Sequence, residues 1–117
     1  MNANALDQAS LKQFTGTTEY FRHLSGYLYT EGVAYVAQTS GAYWLIDKIA
    51  WTTAGKPCLQ KFGNWKLTVH NDRSATLTCE DGDKRELYRE MIEYTDFPLR
   101  QIEIWLINHV LLLPSEY

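Results

Sequence analysis

Three histidines, two cysteines and a scatter of carboxylates are the side chains here with chemistry to offer. His23 lies in Tyr20-Phe21-Arg22-His23, among aromatics, and is the histidine best placed to titrate or bind something. His70 falls on the polar phase of an expected strand and His109 in an expected two-residue turn, so both read as solvent-facing. Cys58 and Cys79 are too few for a tetrahedral Cys-rich zinc site and do not form a Cys-x-x-Cys pair. They read as reduced thiols, buried or half-buried. Glu80-Asp81-Gly82-Asp83 offers carboxylates, but a tight turn supplies too few oxygens for calcium. No metal site and no cofactor are expected: there is no Gly-rich phosphate loop, Gly-x-Ser-x-Gly or His-Glu-x-x-His. Acid/base work by paired carboxylates would need one acid raised by burial, for which Asp47 and Asp96 are the nearest candidates. Asp96, before Phe97-Pro98, reads equally as a residue that turns the chain. Trp44, Trp51, Trp65 and Trp105 read as core or core edge rather than a ligand cage.

Those residues need elements to hold them. Trp65-Lys66-Leu67-Thr68-Val69-His70 alternates with period two, and so do Ala75, Leu77 and Cys79. Asn71 to Ser74 and Asp81-Gly82 read as turns, Lys84 to Tyr94 as a strand, and Ile102 to Leu113 as a hairpin closed by Asn108-His109. Upstream, Ala42, Leu45, Ile46, Ile49 and Ala50 form one stripe of period 3.6, with Asp47 and Lys48 off it. Ser40 is a candidate N-cap for that helix, and Ala54-Gly55-Lys56-Pro57 ends it. Thr30 caps a shorter helix reaching about Gln38. Leu6 to Phe14 reads as a helix stopped at Thr15-Gly16-Thr17, and Thr18 to Thr30 as a short irregular hairpin. The expected fold is α+β: N-terminal helices packed on an antiparallel β-meander of about five strands.

The 117 residues, 45% hydrophobic and 14% aromatic, suit one domain over 1–117 with a core of its own. A net charge of -3 argues against direct nucleic-acid binding. Glu80 to Asp96 holds seven acids and three bases, which suggests an acidic surface for a basic protein partner. Val110 to Leu113, the longest strongly apolar run, is far short of the ~20 residues of a membrane span. The start, Met1 to Asp7, has no secretory pattern, so a soluble, cytoplasmic protein is expected.

Several motifs carry a resemblance. They are Leu11-Lys12-Gln13-Phe14-x-Gly16-Thr17, Tyr29-Thr30-Glu31-Gly32-Val33, Ala42-Tyr43-Trp44-Leu45-Ile46-Asp47, Cys79-Glu80-Asp81-Gly82, Tyr94-Thr95-Asp96-Phe97-Pro98-Leu99 and Leu113-Pro114-Ser115-Glu116-Tyr117. Together they resemble an uncharacterised bacterial family of small domains of unknown function. The resemblance implies a complete domain in an intracellular bacterial protein and brings no catalytic residues.

The leading expectation is a small intracellular, non-enzymatic binding module, with a protein partner or a second copy of itself. A homodimer is expected through Ile102 to Leu113, apolar on both phases. The first rival is a small enzyme or small-molecule binder using Tyr20, Arg22, His23 and Asp96 in a pocket between helices and sheet. The second is a mobile-element or defence-related regulator acting through acidic Glu86, Glu90 and Glu93. Catalytic residues stay unassigned. Candidate binding residues are Tyr20, Arg22, His23, Tyr94, Asp96, Glu116 and Tyr117, the last two forming one polar patch if Tyr94 to Asp96 lies near them.

Overall fold

A computed structural model describes residues 11, 13 and 19–117. Apart from Leu11 and Gln13, the helix expected over Leu6 to Phe14 and its stop lie outside the described residues. The described chain runs β1 (Tyr20–Arg22), β2 (Leu28–Thr30), α1 (Glu31–Ser40), α2 (Tyr43–Gly55), β3 (Gly63–Val69), β4 (Ala75–Glu80), β5 (Glu86–Ile92), β6 (Gln101–Ile107) and β7 (Val110–Leu112). Short 3-10 turns at Pro57–Leu59 and Pro114–Glu116 follow α2 and β7.

The fold is α+β, but its layout differs from the expected one. Strands precede the described helices, and seven strands form one mixed sheet in the order β1-β2-β7-β6-β3-β4-β5. β2 and β7 run parallel and every other pair is antiparallel. A pure meander fails because β6 pairs with the free side of β3 instead of with β5. Arg73 secures that crossover: its Nε and guanidinium NH2 donate to the carbonyls of Thr95 (3.0 Å) and Phe97 (2.8 Å). Thr95, not Asp96, makes the turn there, its hydroxyl accepting the Phe97 amide at 3.1 Å. β1 and β2, three residues each, are too short to show a period, although the expected hairpin is present.

Period two holds where strands are long. Trp65, Leu67 and Val69 on β3 lie opposite Cys79, Leu77 and Ala75 on β4, and all six are buried. Ile102, Ile104 and Leu106 extend that face through β6. The apolar stripe of α2 covers it: Ala42, Leu45, Ile46, Ile49 and Ala50 are all at most 2% exposed. Burial of each large aliphatic side chain contributes roughly 1.5–3 kcal/mol, so this face is the main source of stability.

Thr30 caps α1, its hydroxyl accepting the Val33 amide at 3.2 Å. Ser40 does not cap α2; it is the last residue of α1 and its hydroxyl donates to the Val36 carbonyl at 2.6 Å. The left-handed stop is Gly41 (φ 71°), whereas α2 ends because Lys56 turns extended before Pro57. Asn108 and His109 both adopt positive φ, as a tight hairpin turn requires. Between β4 and β5 the left-handed residue is Lys84, and the Asp81 carboxylate organises the longer loop by accepting the Asp83 and Arg85 amides, both at 2.9 Å.

Candidate interaction surface

Helix α2 has a second face. Tyr43, Asp47 and Trp51 fall at i, i+4 and i+8, off the apolar stripe, and so point one way from the helix. Tyr43 is 48% and Trp51 53% exposed, and the Asp47 side chain 61%. Trp51, expected in the core or at its edge, is therefore not a core residue: the stripe fills the sheet-facing side, and Trp51 stands outside it against His23.

The β1–β2 hairpin packs beside this face through His23. The Ser25 amide donates to His23 Nδ1 at 3.0 Å, which fixes the ring proton on Nε2. Nε2 then donates to Asp47 Oδ1 at 2.7 Å, and the edge of His23 meets Trp51 with ring centroids 5.4 Å apart. Ser25 Oγ lies 2.8 Å from Nδ1, so serine, histidine and aspartate are in line. The Ser25 hydroxyl and the Ser25 amide thus share the one lone pair of Nδ1. The arrangement is a clasp between hairpin and helix. Phe21 stacks on Tyr29 beside it at 5.6 Å. Burial pushes the Tyr29 phenol up, and the nearby Tyr43 and Asp47 add to the effect, so this tyrosine stays neutral.

A groove of about 480 Å³ continues from α2 to β5, lined by Trp44, Lys48, Glu90, Met91, Tyr94 and Asp96 among others. Glu90, one of the acids expected to form an acidic surface, is turned inward. It lies opposite buried Leu77, on the helix-covered face, where Lys48 Nζ donates to it at 2.7 Å and the Tyr88 hydroxyl at 2.7 Å. Those two bonds hold its carboxyl below the ordinary range. A bulge between Cys79 and Glu80 changes the alternation, so Glu86 and Arg89 share the outer face and pair there. Of the acidic trio, two are thus already neutralised by the chain's own cations. Tyr94 (69%) stands exposed at the groove, whereas the Met91 side chain (63%) lies opposite Thr76 on the outer face, where the Thr76 hydroxyl donates to its Sδ at 3.5 Å.

The other candidates do not converge. Tyr20 and Arg22 are exposed on β1, His23 is buried against α2, and Asp96 lies beyond β5 at the opposite edge of the sheet. Glu116 is buried at the start of α1, accepting from the Thr30 hydroxyl (2.6 Å), the Gly32 amide (3.2 Å) and the Leu113 amide (2.9 Å). Tyr117 meets the edge of Trp105, which Phe62 meets as well. Tyr94 to Asp96 is four strands from β7, so no patch with Glu116 and Tyr117 forms. Trp105 and Ile107 are half-buried, which shrinks the apolar area expected on the last hairpin. Cys79 is buried and Cys58 exposed, and both are free. Among the described residues no group of three metal-ligating side chains occurs, and no helix is long and apolar enough to cross a membrane.

Sequence reading missed Tyr43 and Trp51. The signal was present, because an aromatic pair eight apart and off the apolar stripe must leave the core face.

Fold and surface together define an α+β protein with one covered sheet face and an aromatic outer helix face. Residues 5–117 match the family described as "Family of unknown function (DUF6876)", and the chain belongs to it. No curated protein and no solved structure matches the chain.

Proposed function

We propose that this chain is a non-enzymatic interaction module of one domain, docking a protein partner on the outer face of α2. One observation carries the reading. Tyr43 and Trp51, residue types that dominate binding energy at interfaces, are about half exposed on one helix face, with Tyr94 exposed across the adjoining groove. Large aromatics left in water on a stable helix lose burial energy unless something covers them. The clasp from His23 to Asp47 and the packed stripe below hold that face rigid, which lowers the entropy lost on docking.

The test immobilises the chain and a Tyr43→Ala/Trp51→Ala double variant in matched amounts and compares what each captures from its source cells. A protein retained by the wild type and lost from the variant, at unchanged melting temperature, supports the reading. An identical captured set overturns it. A second reading, a small-molecule site, is favoured only by the groove of about 480 Å³, within the usual size range of ligand sites. A thermal-shift screen against metabolites, nucleotides and metals separates the two.

A further inference from the structure

We infer that Asp47 and Trp51 form a seat for an arginine side chain of the docked partner. This rests on the docking reading and names the partner's chemistry at its centre. Aspartate is a poor residue for a helix interior, yet Asp47 is the fifth residue of a 13-residue helix. His23 holds Oδ1 at 2.7 Å, and among the described residues Oδ2 has no partner. The adjacent cation of the helix, Lys48, is committed to Glu90 at 2.7 Å. The carboxylate is thus held in place, 61% exposed, and without a full counter-charge of its own.

Its flanks are aromatic. Tyr43 stands one turn before it and Trp51 one turn after, and a shallow depression of about 370 Å³ is lined by Trp44, Asp47, Lys48, Trp51 and Thr52. A fixed carboxylate beside an indole suits a planar cation, which can donate to the oxygen and stack on the ring together. Guanidinium fits better than ammonium because it is flat, forked and weakly hydrated. The occupant is therefore an arginine-bearing segment of the partner.

The probe is N-acetyl-arginine amide, titrated into isotope-labelled protein while the tryptophan indole resonances are followed. N-acetyl-citrulline amide, of similar shape without the charge, N-acetyl-lysine amide and tetramethylammonium serve as comparisons. The arginine probe should move the Trp51 indole saturably, and the citrulline probe should not. Asp47→Asn should weaken the arginine probe about tenfold, as loss of a charge-assisted pair implies. Trp51→Ala should weaken it by a factor of roughly two to five, judged by the His23 resonances. Because Asp47→Asn also alters the clasp, Trp51→Ala is the variant that leaves Asp47 and His23 in place. Silence with arginine, an equal response to citrulline, or equally tight binding of lysine or tetramethylammonium overturns the inference. Partner capture that survives Asp47→Asn but fails in the Tyr43/Trp51 double variant overturns this inference alone. Arginine binding with capture unchanged in every variant overturns the docking reading beneath it.

Discussion

Asp47 gives up one carboxylate oxygen to His23 and leaves the other to solvent, so a single side chain both ties two elements and faces outward. Substituting it therefore has two effects that separate by experiment. His23→Ala breaks the clasp, leaves Asp47 charged, and should cost about 1–2 kcal/mol of stability in a denaturant titration. The two cysteines differ as sharply. Burial pushes the Cys79 thiol up to about 12, with smaller contributions from Cys58, Asp81 and Glu80, so almost no thiolate forms at neutral pH. Cys58 is exposed. Iodoacetamide at pH 8 should alkylate Cys58 alone in the folded protein, and Cys79 only after denaturant is added, as read by intact mass. Rapid modification of both without denaturant would contradict the packing of β4.

At the scale of elements, the start of α1 and the end of the chain are one unit. The Glu116 carboxylate sits where the first turn of α1 leaves amides unpaired, and it accepts from one of them, the Gly32 amide. Gly32 makes room for it, since a Cβ there would lie 2.6–2.8 Å from that carboxyl group. Gly32→Ala and Glu116→Ala should each cost about 2 kcal/mol, lowering the melting temperature by roughly 6–12 °C in calorimetry. The Lys48–Glu90 pair joins α2 to β5 in the same manner, at about a third exposure on each side. Lys48→Met should cost up to about 1 kcal/mol at pH 7. Glu90 has a folded pKa below its ordinary 4.5, so its contribution is complete above that value and is lost as pH falls through the folded one. The gap between wild type and Lys48→Met should accordingly close in acid titrations below about pH 4.5.

Element by element, the sequence was legible where a period ran long enough. The stripe from Ala42 to Ala50 and the alternation from Trp65 to Cys79 both describe the core as it stands. It was illegible where three-residue strands joined the sheet and where β6 chose the open side of β3, because partner choice is a non-local decision. Of the surface, His23 and Asp47 drew notice singly. Their meeting depends on a turn packing against a helix 24 residues away, which no local pattern encodes. The motifs Tyr29 to Val33 and Leu113 to Tyr117 carried the family resemblance, and their meeting at Glu116 gives that pairing a structural reason.

Taken whole, the molecule spends its apolar residues unevenly. The sheet face under α1 and α2 is filled, yet Tyr43, Trp51 and Tyr94 remain in water. The open edge at β5 is guarded by the bulge and by Glu90 turned inward, devices that oppose unplanned strand pairing. A partner meeting this side accordingly engages side chains on the helix rather than adding a strand. Light scattering should then report a monomer for the isolated chain at tens of micromolar; a dimer abolished by Trp51→Ala would make the second copy the partner. The most direct measurement is the comparative capture experiment with wild type and the Tyr43→Ala/Trp51→Ala variant, melting temperatures matched. A partner bound by the first and absent from the second is the expected result; the same proteins on both would contradict docking on the outer face of α2.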